Sequence, residues 1–291
     1  MNYSVLYRGP LASCNYGCTY CPFAKRVDSA AMLARDRAGL LSFERWITGQ
    51  TLHQWQILFT PWGEALVRSW YRDTITRLAK LDHLESVAVQ TNLSCGVRWL
   101  RECDAHKLAL WVTYHPTEAK LNTFVHKVKQ VRDAGVRLSV GMVAAPEFFD
   151  DIARLREALP AEIYLWINPQ KPRKRPYTDR EIDFLAAIDP HFKATSTAQR
   201  TFGLPCRTGS SSFTVDGEGA MRRCHFVEKV IGNINDADWE SGLIPRPCPN
   251  RTCHCFLGLA HFEPLYLDAI YGETLLARIP NGNPAATNHA Q

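Results

Sequence analysis

An α/β fold built on a parallel sheet is what this chain predicts, and three observations predict it. Six apolar runs of strand length recur at spacings of mostly about twenty to thirty residues, each followed by a more polar stretch of helical character. Unusual polar residues gather where the runs end, which is where parallel α/β folds keep their functional groups. From Phe202 the texture changes to glycine, proline, serine and cysteine, so a second and smaller region follows.

The first run, residues 3–7, leads into Cys14-Asn-Tyr-Gly-Cys18-Thr-Tyr-Cys21. A helix is expected over residues 29–48, where Leu33, Leu40, Leu41, Phe43, Trp46 and Ile47 recur among charges. The second strand, 55–59, ends in Pro61-Trp62-Gly63-Glu64, with a helix over 66–81. The third, 86–90, ends in Thr91-Asn92 and is followed by a short helix over 99–106. The fourth, 108–113, ends in Tyr114-His115-Pro116, with a helix over 119–134. The fifth spans 136–143, with a helix over 148–159, and the sixth spans 162–167, with a helix over 179–188. Strand-then-helix alternation implies right-handed crossovers and helices on the outer face of the sheet. An open doubly wound sheet would offer phosphate-binding glycines after its first strand, and here that strand ends in cysteines instead.

Composition sets bounds on function. With 291 residues, 46% hydrophobic and 22% charged, the chain can bury a substantial core. No apolar run reaches the eighteen or so residues that cross a bilayer, so no membrane partner is expected. Met1-Asn2-Tyr3-Ser4 opens no basic-then-apolar segment, and the expected location is the cytoplasm. There the ten cysteines are metal ligands or free thiols rather than disulfides. The formal charge of +5 is mild, and no extended basic stripe argues for nucleic acid. The tail, residues 281–291, is small, polar and uncapped, and is expected to be poorly ordered.

Three thiols spaced C-x3-C-x2-C lack the nearby fourth ligand of a structural zinc site, since the next cysteine is Cys95. They suit a [4Fe–4S] cluster with one iron left open to a small molecule. Cys14, Cys18 and Cys21, with Tyr20 just before the last, resemble the C-x3-C-x-aromatic-C signature of the radical S-adenosylmethionine (radical SAM) superfamily. The surrounding YRGPLASCNYGCTYCPFAKR is similar to a short, poorly characterised subfamily whose name carries no substrate.

That resemblance implies a partial (β/α)6 TIM-like barrel over residues 1–195. It implies that S-adenosylmethionine (AdoMet) chelates the open iron and is reductively cleaved to a 5′-deoxyadenosyl radical, which abstracts a hydrogen atom from substrate. Gly63-Glu64 is similar to the family's Gly-Gly-Glu-Pro motif, departing from it at Trp62 and Ala65. Glu64 then helps hold the AdoMet amine, and Gly63 allows close backbone approach. Thr91, Asn92, Thr113, His115, Asn168 and Gln170 stand where the family binds the ribose and carboxylate of AdoMet, or substrate; each is equally a turn or cap residue. Gly141-Met142-Val143 is weakly similar to the stretch packed against adenine. Trp55, Trp62, Trp111, Tyr114 and Trp166 read first as barrel core and second as the lining of a dry cavity.

In the second region, Ser212 to Val215, the turn signal Asp216-Gly217, and Met221 to Cys224 read as a hairpin. Cys206 and Cys224, with Gly219 between, resemble the Twitch and SPASM extensions of radical SAM enzymes, which carry an auxiliary [4Fe–4S] cluster. A Twitch-like domain over residues 196–280 follows, closed by some of Cys248, Cys253 and Cys255: five thiols for four places. A four-cysteine zinc site stays open as the alternative. Cys95 and Cys103 read as packing residues. The run holding Lys171, Arg173, Lys174 and Arg175 is a candidate for substrate phosphate or carboxylate, or a solvated loop.

Three functional readings come from this. The first is a radical SAM enzyme oxidising a peptide or peptide-like substrate, with a reductant such as flavodoxin or ferredoxin. The second is radical modification of a phosphorylated metabolite or nucleotide. The third is a non-catalytic iron–sulfur or zinc protein.

Overall fold

A computed structural model describes residues 1–23, 27–171 and 175–282. Arg173, Lys174 and most of the tail expected to be poorly ordered (283–291) lie outside the described residues. Six strands, β1 Asn2–Arg8, β2 Gln54–Phe59, β3 Leu84–Thr91, β4 Leu108–Thr113, β5 Arg137–Ala144 and β6 Leu165–Pro169, pair in parallel in sequence order. The helices between them are α1 Ala30–Thr48, α2 Ser69–Leu78, α3 Leu121–Asp133 and α4 Phe149–Ala158, with α5 Asp179–Ile188 and α6 Phe192–Ser196 after β6. A parallel strand pair needs such a crossover, which explains the alternation in the sequence. The partial barrel is borne out.

Two predicted helices come out shorter, each for a local reason. The one expected over 66–81 is a 3₁₀ turn, Ala65–Val67, then α2, because Glu64 caps the Leu66 N–H and Arg68 is extended. The one expected over 99–106 is only the 3₁₀ turn Arg98–Glu102. Beyond it, Asp104 turns the chain by accepting from the His106 N–H, a bond that competes with helix.

Alternation along each strand sorts the side chains into two cores. Tyr3, Val5, Tyr7, Trp55, Ile57 and Phe59 face the helices, in one apolar cluster. Leu6, Leu58, Ala88, Ala109, Trp111 and Trp166 face the concave side, in another. What fills that concave side is the C-terminal chain: α7 Phe256–Leu259, α8 Leu267–Tyr271 and the 3₁₀ turn Gly272–Ala277 pack on it. Gly141 on β5 leaves room for the Trp166 ring, since a Cβ there would lie 2.0 Å from it. The weak match of this stretch to an adenine-packing strand therefore meets an indole already in place.

The sheet does not stop at β1. The hairpin β8 Ser212–Asp216 and β9 Ala220–Arg222 forms as its turn signal predicts, and β8 pairs in parallel with β1. With β10 Val230–Asn233 the sheet has nine strands among the described residues, ordered β10-β9-β8-β1-β2-β3-β4-β5-β6. A separate two-stranded pair joins β7 Gln199–Arg200 to β11 Thr252–Cys253. At the outer edge of β6, Asp189 accepts the Ile167 N–H at 2.8 Å and so satisfies a donor that no further strand among the described residues takes. No helix among the described residues is long and apolar enough to cross a membrane.

Candidate active site

The cysteine loop leaves β1 and crosses the carboxyl ends of the parallel strands. Its path is fixed by main-chain bonds to the turn after β2: Gly63 N–H donates to Leu11 O and Glu64 N–H to Ser13 O, both at 3.2 Å. That contact demands glycine, because a Cβ on Gly63 would lie 2.0 Å from the Ser13 oxygen. Two acids missing from the sequence reading hold the loop from the other side. Asp28 accepts from Ala12 N, Ser13 N and Ser13 Oγ at 2.8–2.9 Å. Asp36, buried in α1, accepts from Leu11 N, Trp70 and Tyr71 at 2.9–3.2 Å. The available signal was an acid on the apolar face of the first helix, a place acids avoid unless partnered.

Glu64 is buried beside this loop. Its Oε1 accepts from Thr91 Oγ1 at 2.8 Å and Leu66 N at 3.0 Å, and its Oε2 from Asn92 N at 2.6 Å. A carboxylate offers about four acceptor positions, so one remains on Oε2. Burial pushes its pKa up, against those three donors. A cation at the remaining position would oppose that upward shift. Asn92 also reaches the loop, donating to Cys14 Sγ at 3.6 Å and Asn15 Oδ1 at 3.1 Å.

From β4, His115 enters the same site. Its Nδ1 lies 3.2 Å from Cys18 Sγ and 2.9 Å from the Tyr20 hydroxyl, and its ring stacks on Tyr20. Burial lowers its pKa to about 4, so the imidazole is neutral at ordinary pH. Burial likewise raises the Cys14 and Cys18 thiols. Thus Cys14, Cys18, Tyr20, Gly63, Glu64, Thr91, Asn92 and His115 come together. Thr113 and Asn168 stand half-buried at the ends of β4 and β6. Gln170 uses its backbone N–H to bond the Tyr177 hydroxyl at 3.0 Å.

Of the tryptophans, Trp55 is helix-side core, while Trp111 and Trp166 meet edge to face on the concave side. Trp62 is exposed at the mouth, under Phe23 and over the Arg8 guanidinium, 4.1 Å away. Lys171 and Arg175 both have protein partners: Lys171 Nζ donates to the His254 carbonyl, and Arg175 pairs with Glu181 through two bonds of 2.6 and 2.7 Å.

The other five thiols converge from segments far apart in sequence. Residues 201–204 bond to 248–251, through Thr201 N to Arg251 O, Gly203 N to Cys248 O and Cys248 N to Leu204 O. Arg223 ties the hairpin end to the same loop, donating to the Pro247 and Arg246 carbonyls at 2.7 and 2.9 Å. Cys224 lies within electrostatic reach of Cys206 and Cys248, and Cys253 of Cys224, Cys248 and Cys255. Burial raises Cys224 to about 11 and Cys253 to about 12, the mutual charge adding to it. None of the ten cysteines is in a disulfide.

Among the described residues no three His, Cys, Asp or Glu side chains close around one point as a single metal ion needs. A cubane takes each thiolate on a different iron, so its ligands stand apart. Both cysteine groups, outside any disulfide, have the donor chemistry of that cluster.

No family model matches the chain, and no curated protein matches it in sequence. Solved structures do. Polyhistidine-tagged anSMEcpe with bound AdoMet superposes at a TM-score of 0.54 and 15% identity, over 84% of this chain and 83% of that one. Native anSMEcpe with bound AdoMet and the Kp18Cys peptide gives 0.57 at 12%, over 84% and 80%. Streptococcus suis SuiB bound to S-adenosylmethionine gives 0.57 at 13%, over 82% of this chain and 65% of SuiB. The chain has the radical SAM fold. In that fold the carboxyl ends of the strands form the working face, and there the first cysteine loop, Glu64 and His115 stand together.

Proposed function

We propose that the chain is a radical SAM enzyme acting on a peptide or peptide-like substrate. The observation that carries this is the loop of Cys14, Cys18 and Cys21, locked by main-chain bonds to Gly63-Glu64 at the working face of the barrel. When bound, a [4Fe–4S] cluster and AdoMet supply a one-electron cleavage whose product takes a hydrogen atom from substrate. This chain's residues do the holding. Cys14, Cys18 and Cys21 would ligate the cluster, and Glu64 Oε2 would accept from the AdoMet ammonium. Asn92 holds Cys14 and the end of β3 in register with it. Thr113, Asn168 and Gln170 are assigned to AdoMet and substrate at the strand ends.

Residues 196–280 are read as a Twitch-like domain on the 1–195 core, with an auxiliary [4Fe–4S] cluster held by four of Cys206, Cys224, Cys248, Cys253 and Cys255. When present, such a cluster would supply an acceptor for one electron, which is the chemistry an oxidation needs. A cytoplasmic reductant such as flavodoxin or ferredoxin would supply the starting electron. The peptide reading is supported by the fold's neighbours, since anSMEcpe was solved with the Cp18Cys peptide and SuiB with precursor peptide SuiA. The phosphorylated-metabolite reading loses support because Lys171 and Arg175 already have protein partners.

The test is anaerobic reconstitution with iron and sulfide, then AdoMet and dithionite. 5′-Deoxyadenosine is expected, and a reducible, iron-loaded protein that makes none sinks the enzyme reading in favour of a non-catalytic iron–sulfur protein.

A further inference from the structure

The three thiols of the first loop are not equivalently surrounded. Cys21 Sγ meets the Phe23 carbonyl, at 3.6 Å. Cys14 Sγ takes the Tyr16 backbone N–H and the Asn92 amide. Cys18, the most buried of the three, instead meets two side chains that can both donate: the His115 ring nitrogen at 3.2 Å and the Tyr20 hydroxyl, which bonds the same sulfur.

Both donors are held in place. The His115 carbonyl accepts from Glu118 N and Ala119 N, which fixes the turn after β4. The ring is stacked by Tyr20, 5.9 Å away at 17°, and met edge-on by Tyr16 at 5.8 Å. Tyr20 is wedged edge-on against Phe148 at 5.1 Å, and its oxygen takes a bond from Thr117. With that acceptor position filled, its proton points toward the Cys18 sulfur, which leaves His115 Nδ1 free to carry its own proton toward the same atom.

A cysteine that ligates iron has lost its proton and can only accept. The geometry points to His115 and Tyr20 as positioning residues that donate hydrogen bonds to the Cys18 thiolate and raise the reduction potential of the cluster held there. The physical reason is charge. Reduction adds an electron that is shared with the sulfurs, so donors to sulfur stabilise the reduced state more than the oxidised one. This inference rests on the reading under Proposed function and adds to it a setting of the electron's energy that the cysteine spacing does not encode.

The test is a redox titration of the full reconstituted chain by electron paramagnetic resonance, following the signal that changes on adding AdoMet. Wild type is compared with His115→Ala, His115→Asn and Tyr20→Phe, with iron counted in each. At a fixed applied potential near the wild-type midpoint, His115→Ala and Tyr20→Phe should lower the reduced-to-oxidised ratio about tenfold, which is 59 mV for a one-electron couple. His115→Asn, whose amide N–H can stand where Nδ1–H stood, should stay within about threefold of wild type.

Iron-loaded His115→Ala and Tyr20→Phe proteins with unmoved ratios overturn the inference. So does His115→Asn falling as far as His115→Ala, which would make the ring a packing element only. If His115→Ala takes up no iron, Tyr20→Phe decides: a lowered ratio supports the inference and an unmoved one overturns it. Wild type that cleaves AdoMet while the variants do not shift condemns this inference alone, whereas wild type without an AdoMet-responsive signal sinks both.

Discussion

The two cysteine groups are built by opposite strategies. The first puts three thiols on one loop of eight residues and fixes the loop with bonds from Gly63, Glu64, Asp28 and Asp36. The second spreads five thiols over fifty residues, and pairing of 201–204 with 248–251 brings them together. In the first, spacing along the chain almost defines the site, because a loop that short cannot carry its thiols far apart. In the second, loop closure across the whole region must be paid by tertiary contacts before any two thiols meet. Spacing alone announces the short-range site; the assembled one shows in sequence only through its likeness to the Twitch and SPASM pattern.

The largest expected effect separates the groups outright. Replacing Cys14, Cys18 and Cys21 together by alanine should abolish 5′-deoxyadenosine formation while leaving about four irons per chain bound at the second group. Zinc there instead, or no metal, would remove the auxiliary cluster from the account. The reverse change, Cys224→Ala with Cys248→Ala, should leave AdoMet cleavage and lose the second iron signal.

Next in size is Gly63→Ala. Its methyl group must push Ser13 and the cysteine loop away from Glu64, at a cost of about 1–3 kcal/mol, and should weaken AdoMet binding at least tenfold. Calorimetric unfolding and AdoMet titration measure the two parts; unchanged AdoMet affinity would mean the close approach is not what positions the loop.

Acid sensitivity is shared by both regions and is spread over several pH units. His115 is held neutral down to about pH 4 and His261 to about pH 3, both by burial. An unfolded histidine takes its proton near pH 6.5, so stability is complete above that value and falls as the pH drops toward 4. Each histidine contributes a slope of about 1.4 kcal/mol per pH unit in that window. Denaturant unfolding from pH 7 to pH 4.5 reads this, and His261→Gln should flatten it if the Ser212 contact at 3.1 Å survives.

Smallest of all is Arg175→Ala. Its pairing with Glu181 is solvent-exposed, so neither the thermal midpoint nor 5′-deoxyadenosine formation should change measurably. A raised substrate KM in that variant would return the basic run to the substrate site.

Much of the barrel was legible because its signal is local. Each strand is a short apolar run and each helix carries apolar spacing, so the ranges of β4 and α5 match the expected ones to the residue. Where a side chain captured a backbone N–H, as Asp104 does for His106, the pattern misled. Glu64 was legible as an acceptor, but its three protein donors were not, because two of them come from the end of another strand.

The sequence by itself determined the parallel α/β order, the turn signal of the β8–β9 hairpin and the cysteine loop, since all of these follow from periodicities and spacings within a few residues. Tertiary structure alone decided that 256–279 fills the concave face, that β8 adds to β1, and that His115 stands against Cys18. Those contacts join residues about a hundred or more positions apart, and no local propensity encodes which distant surface a segment will meet.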